Sequence, residues 1–210
     1  MSTALTLQSL PLFPLGTVLF PGGVLPLRIF EVRYLDMIGR CHKAGAPFGV
    51  VSLTQGEEVR QPGASEAFAS VGTLAKIDTL ETPHPGLMMI RSSGMQRFRI
   101  RSRERLRHGL WVANVEGIDA DMAVAIPEDL KSTSEALGNL IHTLQQKSAS
   151  TDPLPIQPPW QLDDCGWVAN RWCELLPLPT QTRQRLMELE NPLVRLELVS
   201  DLLTRSGIAS

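Results

Sequence analysis

The stretch from Leu10 to Tyr34, LPLFPLGTVLFPGGVLPLRIFEVRY, constrains this chain most: it is the densest apolar run, and prolines cut it at positions 11, 14, 21 and 26. Those prolines, Arg28 and the turn signals at Gly16 and Gly22-Gly23 interrupt it well before the roughly 20 apolar residues that a bilayer requires. Proline has no N–H to give to a ladder and sits at strand starts and edges. Short strands are therefore expected around Leu12–Leu15 and Leu25–Leu27, joined through the Pro-Gly-Gly turn. Beyond Ile29, the residues Phe30, Tyr34, Leu35, Ile38 and Cys41 fall at helical spacing, and Gly45 offers a left-handed stop.

The pattern that follows is strand-rich. Phe48 to Leu53 reads as a buried strand, and Thr54 to Ser70 as a polar loop long enough to suggest mobility. Strands are expected at Val71–Leu80, Leu87–Arg91, Arg97–Ile100 and Leu110–Glu116, with turns at Thr82–Gly86 and Ser92–Gly94. Short connections and a single early helix argue for an antiparallel sheet or small barrel. After Gly117 the period changes. Pro127 is placed to open a helix with Leu130, Leu137, Leu140, Ile141 and Leu144 on one face. Prolines make Ser148 to Gln161 a loop, which Trp160 is expected to pin. Asp163 or Asp164 caps the next helix, Thr180 starts a short one, and Asn191-Pro192 opens a last one that stops at Gly207. The chain therefore reads as α+β, with a β-rich lobe at residues 1–117 and a helical bundle at 118–210.

Several motifs resemble the opening signature of the Lon protease N-terminal, substrate-binding domain family. They are Leu10-Pro11-Leu12-Phe13-Pro14-Leu15, Leu19-Phe20-Pro21-Gly22, Leu25-Pro26-Leu27, and Ile29-Phe30-Glu31 with Arg33-Tyr34. Gly94 with Arg97-Phe98-Arg99-Ile100, and a pattern from Asp164 through Leu176, Leu189-Glu190 and Arg195-Leu196, extend the resemblance over nearly the whole chain. It implies a PUA-like pseudo-barrel in the first lobe. It also implies recognition of unfolded or damaged polypeptides, through an apolar surface or a groove between lobes, with a protease or chaperone as a further partner.

The chemistry expected from the residues is sparse. There is no Gly-x-x-x-x-Gly-Lys-Ser/Thr, and none of the lysines at 43, 76, 131 and 147 resembles a Ser-Lys catalytic segment. The histidines are scattered without metal-ligand spacing. Cys41-His42 cannot act as nucleophile and base, because neighbours on a helix diverge by about 100 degrees. No catalytic residue, cofactor or metal is expected, and a peptidase label would be inherited from longer relatives. The three cysteines, at 41, 165 and 173, show no Cys-x-x-Cys spacing, and Met-Ser-Thr-Ala-Leu-Thr, without a basic segment or an apolar run, leads to an expectation of no export. Both points fit a cytoplasmic protein with no membrane partner.

Two sets of residues are candidate partner-binding positions. Arg97, Arg99, Arg101, Arg103, Arg105 and Arg107 occupy alternate positions, and in an extended segment all six would share one face opposite Phe98, Ile100 and Leu106. Such a stripe could bind RNA through its phosphates. The reading preferred is a solvated sheet face partly neutralised by carboxylates such as Glu57, Glu58, Asp78 and Glu81, and a break near Ser102 would also split the stripe. Glu31 and Arg33, at the start of the first helix, form the second set.

Overall fold

In the computed structural model, which describes residues 5–56, 66–147 and 155–208, prolines 11 and 14 lie inside a strand. β1 (Thr6–Leu15) pairs antiparallel with β6 (Trp111–Gly117) from Thr6 to Leu12, and parallel with β3 (Phe48–Gln55) from Leu12 to Leu15. Pro11 therefore meets only β6 and Pro14 only β3. Each missing N–H falls where one flank of the strand has no partner to lose.

The remaining strands are β2 (Val24–Ile29), β4 (Ala67–His84) and β5 (Leu87–Arg105), with α1 (Val32–Ala44) between β2 and β3. The sheet order is β2-β5-β4-β3-β1-β6, and β6 also pairs with β5, which closes the sheet on itself. β5 makes this possible by its length. One edge follows β4, while the other takes β2 along Met88–Ser93 and then β6 along Phe98–Arg105.

The turn expected at Ser92–Gly94 is absent, because β5 runs straight through it. Gly94 serves a different purpose. A Cβ there would lie 2.1 Å from the Phe20 carbonyl oxygen. The Gly22 amide donates to the Gly94 carbonyl and the Gly94 amide to the Gly23 carbonyl, both at 2.8 Å. The connection between β1 and β2 is thus laid directly on β5.

α1 packs Tyr34, Met37, Ile38 and Cys41 against the sheet, with Phe13 and Tyr34 stacked at 4.0 Å. It ends at Gly45, whose φ of 61° is the left-handed stop that its sequence suggested. Phe30 does not belong to this face: it precedes the helix and is exposed. A second buried cluster, including Leu12, Phe68, Phe98 and Val115, fills the closed sheet.

The chain divides into two compact units, Met1–Ala120 and Asp121–Ser210. In the second, Pro127 precedes a 3-10 turn, Glu128–Leu130, which leads into α2 (Lys131–Lys147). α3 (Cys165–Leu175), α4 (Thr180–Glu188) and α5 (Pro192–Arg205) follow. The Asp164 carboxylate caps α3 by accepting from the Trp167 amide at 2.7 Å, and the Asn191 side chain caps α5 through the Leu193 and Val194 amides. Trp160 is 37% exposed, whereas Ile156 in the same segment is buried. Positions 57–65 and 148–154 of the two expected loops, Glu57 and Glu58 among them, lie outside the described residues.

Arg195, 1% exposed, is the polar centre of this unit. Its guanidinium donates to both Asp121 oxygens, to Asn170 Oδ1 at 3.0 Å, to the Leu186 carbonyl at 3.0 Å and to the Leu189 carbonyl. The Arg195-Leu196 motif is thereby given a structural reason.

Candidate functional site

β2 pairs with β5 alone, so among the described residues its other edge carries no strand. Pro26 suits such an edge. Where β2 runs out into α1, the chain turns Phe30 and Val32 outward, 57% and 75% exposed. A shallow cleft of about 100 Å³ opens beside them, lined by Phe13, Leu15, Leu27, Ile29 and Tyr34 among others. An open edge next to large exposed apolar side chains is what a short extended peptide needs, with backbone hydrogen bonds along the strand and apolar burial beside it.

Inward-facing neighbours force Phe30 and Val32 out. Arg33 is buried, with its guanidinium 4.5 Å from the Tyr34 ring centroid; Nε donates to Glu31 Oε2 at 3.0 Å and Nη1 to the Gly109 carbonyl at 2.9 Å. Glu66, whose side chain is 5% exposed, lies 3.8 Å from Arg33 and 3.6 Å from Arg105, and accepts from the Trp111 indole at 2.8 Å. Two carboxylates thus face two guanidiniums. Burying these charges is tolerable only because they are matched. Of the Glu31 and Arg33 pair, Arg33 is spent on this network, and Glu31, at the N-cap of α1, holds it there. Desolvation raises the Tyr34 hydroxyl well above its ordinary pKa, so it stays protonated.

The arginine run does not share one face. Arg97 is buried, within 3.5 Å of the Asp119 carbonyl. The pairing of β5 with β6 slips between Ile100 and Ser102, which makes Arg101 the extra residue of a bulge; it forms an ion pair with Glu116. Arg103 stacks over Phe68 at 4.3 Å, Arg105 lies over Trp111 at 5.7 Å, and Arg107 falls in the turn beyond the strand. Arg99 stays exposed, directly opposite Glu116. The neutralising carboxylates are therefore Glu116 and Glu66. Asp78 instead accepts from the Ser93 hydroxyl.

The thiols are quiescent. Burial pushes Cys41 and Cys165 up and Cys173 up to about 12, the opposite of an activated nucleophile. Cys41 is buried while His42 is exposed on α1. Among the described residues no group of three or more His, Cys, Asp or Glu is placed to hold a metal ion, and no helix is long and apolar enough to cross a membrane.

The β-rich sheet and, among the described residues, five α-helices define a mixed α+β protein. Residues 9–205 match the family described as the ATP-dependent protease La (LON) substrate-binding domain, and the chain belongs to that family. It is 24% identical over 198 residues to a Lon protease of Anaeromyxobacter dehalogenans, covering 93% of this chain and 23% of that protein. It is also 27% identical over 203 residues to a Lon protease of Heliobacterium modesticaldum, covering 95% and 24%. The chain thus spans about a quarter of the length of these curated relatives. The crystal structure of a Lon N-terminal domain protein from Xanthomonas campestris superposes with a TM-score of 0.70 at 29% identity, covering 92% of this chain and 97% of that one. The N-terminal domain of Mycobacterium avium complex Lon protease shares the fold, with a TM-score of 0.59 at 18% identity over 94% and 98% of the two chains.

What the motifs could not convey was the outward placement of Phe30 and Val32. Its signal is the adjacent pair Arg33-Tyr34: once those two side chains take the buried face, Val32 at the head of the helix and Phe30 before it point elsewhere.

Proposed function

We propose that this chain is a non-catalytic binding module that grips short extended, apolar stretches of unfolded or damaged polypeptide along the outer edge of β2. One observation carries this reading: an edge of β2 that has no partner strand among the described residues adjoins Phe30, Val32 and an apolar cleft. Backbone groups on the edge hydrogen-bond to any client sequence, while Phe30 and Val32 favour apolar ones. Pro26 withdraws one donor and Arg28 places a charge on the edge, and both oppose open-ended pairing with a second β2. Membership of a substrate-binding domain family supports the reading, and the closed sheet supports a PUA-like pseudo-barrel. A protease or chaperone would then process the client. RNA binding has less support, since Arg101, Arg103 and Arg105 are engaged by Glu116, Phe68, Trp111 and Glu66.

The test is fluorescence anisotropy with a labelled, permanently unfolded model protein. Phe30→Ser with Val32→Ser removes apolar surface that binding would cover, worth about 2 kcal/mol in all, so affinity should fall roughly 30-fold. Unchanged affinity would remove the surface from consideration.

A further inference from the structure

The second unit carries a groove that the β2 edge leaves unused. α4 and α5 bound an open cleft of about 360 Å³, floored by Leu186 and Leu189 from one side and by Leu198 and Leu202 from the other. Leu198 is 43% exposed, a leucine on α5 outside the face that buries Leu196, Val199 and Leu203. The rim is charged: Arg185 projects from α4 and Arg205 from α5, against a single acid, Asp201. Both arginines are exposed, and neither is held in an ion pair among the described residues.

We propose that this groove docks an amphipathic helix whose leucine-like stripe is flanked by acidic residues. The volume lies near the low end of the roughly 300–1,000 Å³ that ligand pockets span, so it takes a few side chains and not a whole backbone. Both walls are helices with backbones already hydrogen-bonded internally. An extended peptide laid here would lose water from its amides and find no ladder, whereas a helix arrives with its own amides satisfied. The excess of arginine over aspartate selects acidic flanks, and the two cations, one on each wall, set the partner's register.

The experiment titrates the full chain with two labelled, capped helical peptides of about 20 residues, long enough to hold helix. They share leucines at i, i+3, i+4 and i+7, flanked by glutamate in one and lysine in the other. The glutamate peptide should bind at least tenfold tighter, Leu198→Asp should abolish binding, and Arg185→Glu with Arg205→Glu should reverse the preference. All three positions are exposed, and circular dichroism checks that each variant folds. Phe30→Ser with Val32→Ser should leave this binding unchanged, which separates it from the β2 site. Equal binding of both peptides would overturn the proposal, as would indifference to Leu198→Asp and the charge reversal. So would sedimentation showing a dimer that Leu198→Asp dissociates, since the groove would then be occupied by a second copy.

Discussion

Replacing Arg195 by methionine tests how the second unit is held together. Methionine keeps much of the length and the helix propensity but removes every donor. Asn170 Oδ1 and the Leu186 and Leu189 carbonyls would lose their guanidinium partner, and Asp121 its cation. A buried acceptor left without a partner costs about 1–3 kcal/mol, and breaking a buried ion pair from one side about 3–5 kcal/mol. Asp121 is partly exposed and can recruit water, so the total should fall at about 3–5 kcal/mol and not at the sum of all terms. Urea unfolding followed by tryptophan fluorescence reports on this unit, because Trp160, Trp167 and Trp172 lie in it and only Trp111 lies in the other. Arg195→Lys should recover only part of the loss, since one ammonium cannot reproduce the planar fork. A methionine variant within about 1 kcal/mol of the parent would refute the assignment of Arg195 as the unit's polar centre.

Gly94→Ala should destabilise the first unit by about 3 kcal/mol in urea unfolding followed by circular dichroism of the sheet, because the new methyl meets the Phe20 carbonyl at 2.1 Å and parts two hydrogen bonds. A neutral result would mean that the β1–β2 connection yields. Asn191→Ala should cost about 1 kcal/mol through loss of the α5 cap, read as a lowered urea midpoint. Burial raises Glu174 to about 7, more than its partner Arg171 lowers it. The folded state therefore holds a proton that the unfolded chain releases near pH 4.5, so stability should fall by up to about 3 kcal/mol as pH rises from about 4.5 to 7. Glu174→Gln should flatten that part of the pH profile, and a slope that persists unchanged would assign it to other groups.

Much of the architecture is legible because local signals coincide with tertiary needs. Gly45, Asp164 and Asn191 act as caps where the chain's pattern puts them. The misreadings share a cause: a residue's partner lies far away in sequence. Ser92-Ser93-Gly94 looks like a turn, and only the crossing of Phe20–Gly23 explains a glycine within a strand. The alternation of Arg97 to Arg107 suggests a single charged face, yet a bulge at Arg101 breaks the phase, and Glu66 and Glu116 draw the arginines to different tasks. Phe30 fits the helical spacing of Tyr34 and Ile38 but lies before the helix starts. Spacing specifies a face only where the element exists.

Hydrogen exchange of the backbone amides, with and without an unfolded model polypeptide, tests the binding surface most directly. Added client should slow exchange at Val24–Ile29 and around Phe30–Val32, leaving the interior of α3 unchanged. Protection confined to Arg97–Arg107, or no protection of β2 at saturating client, would contradict the account.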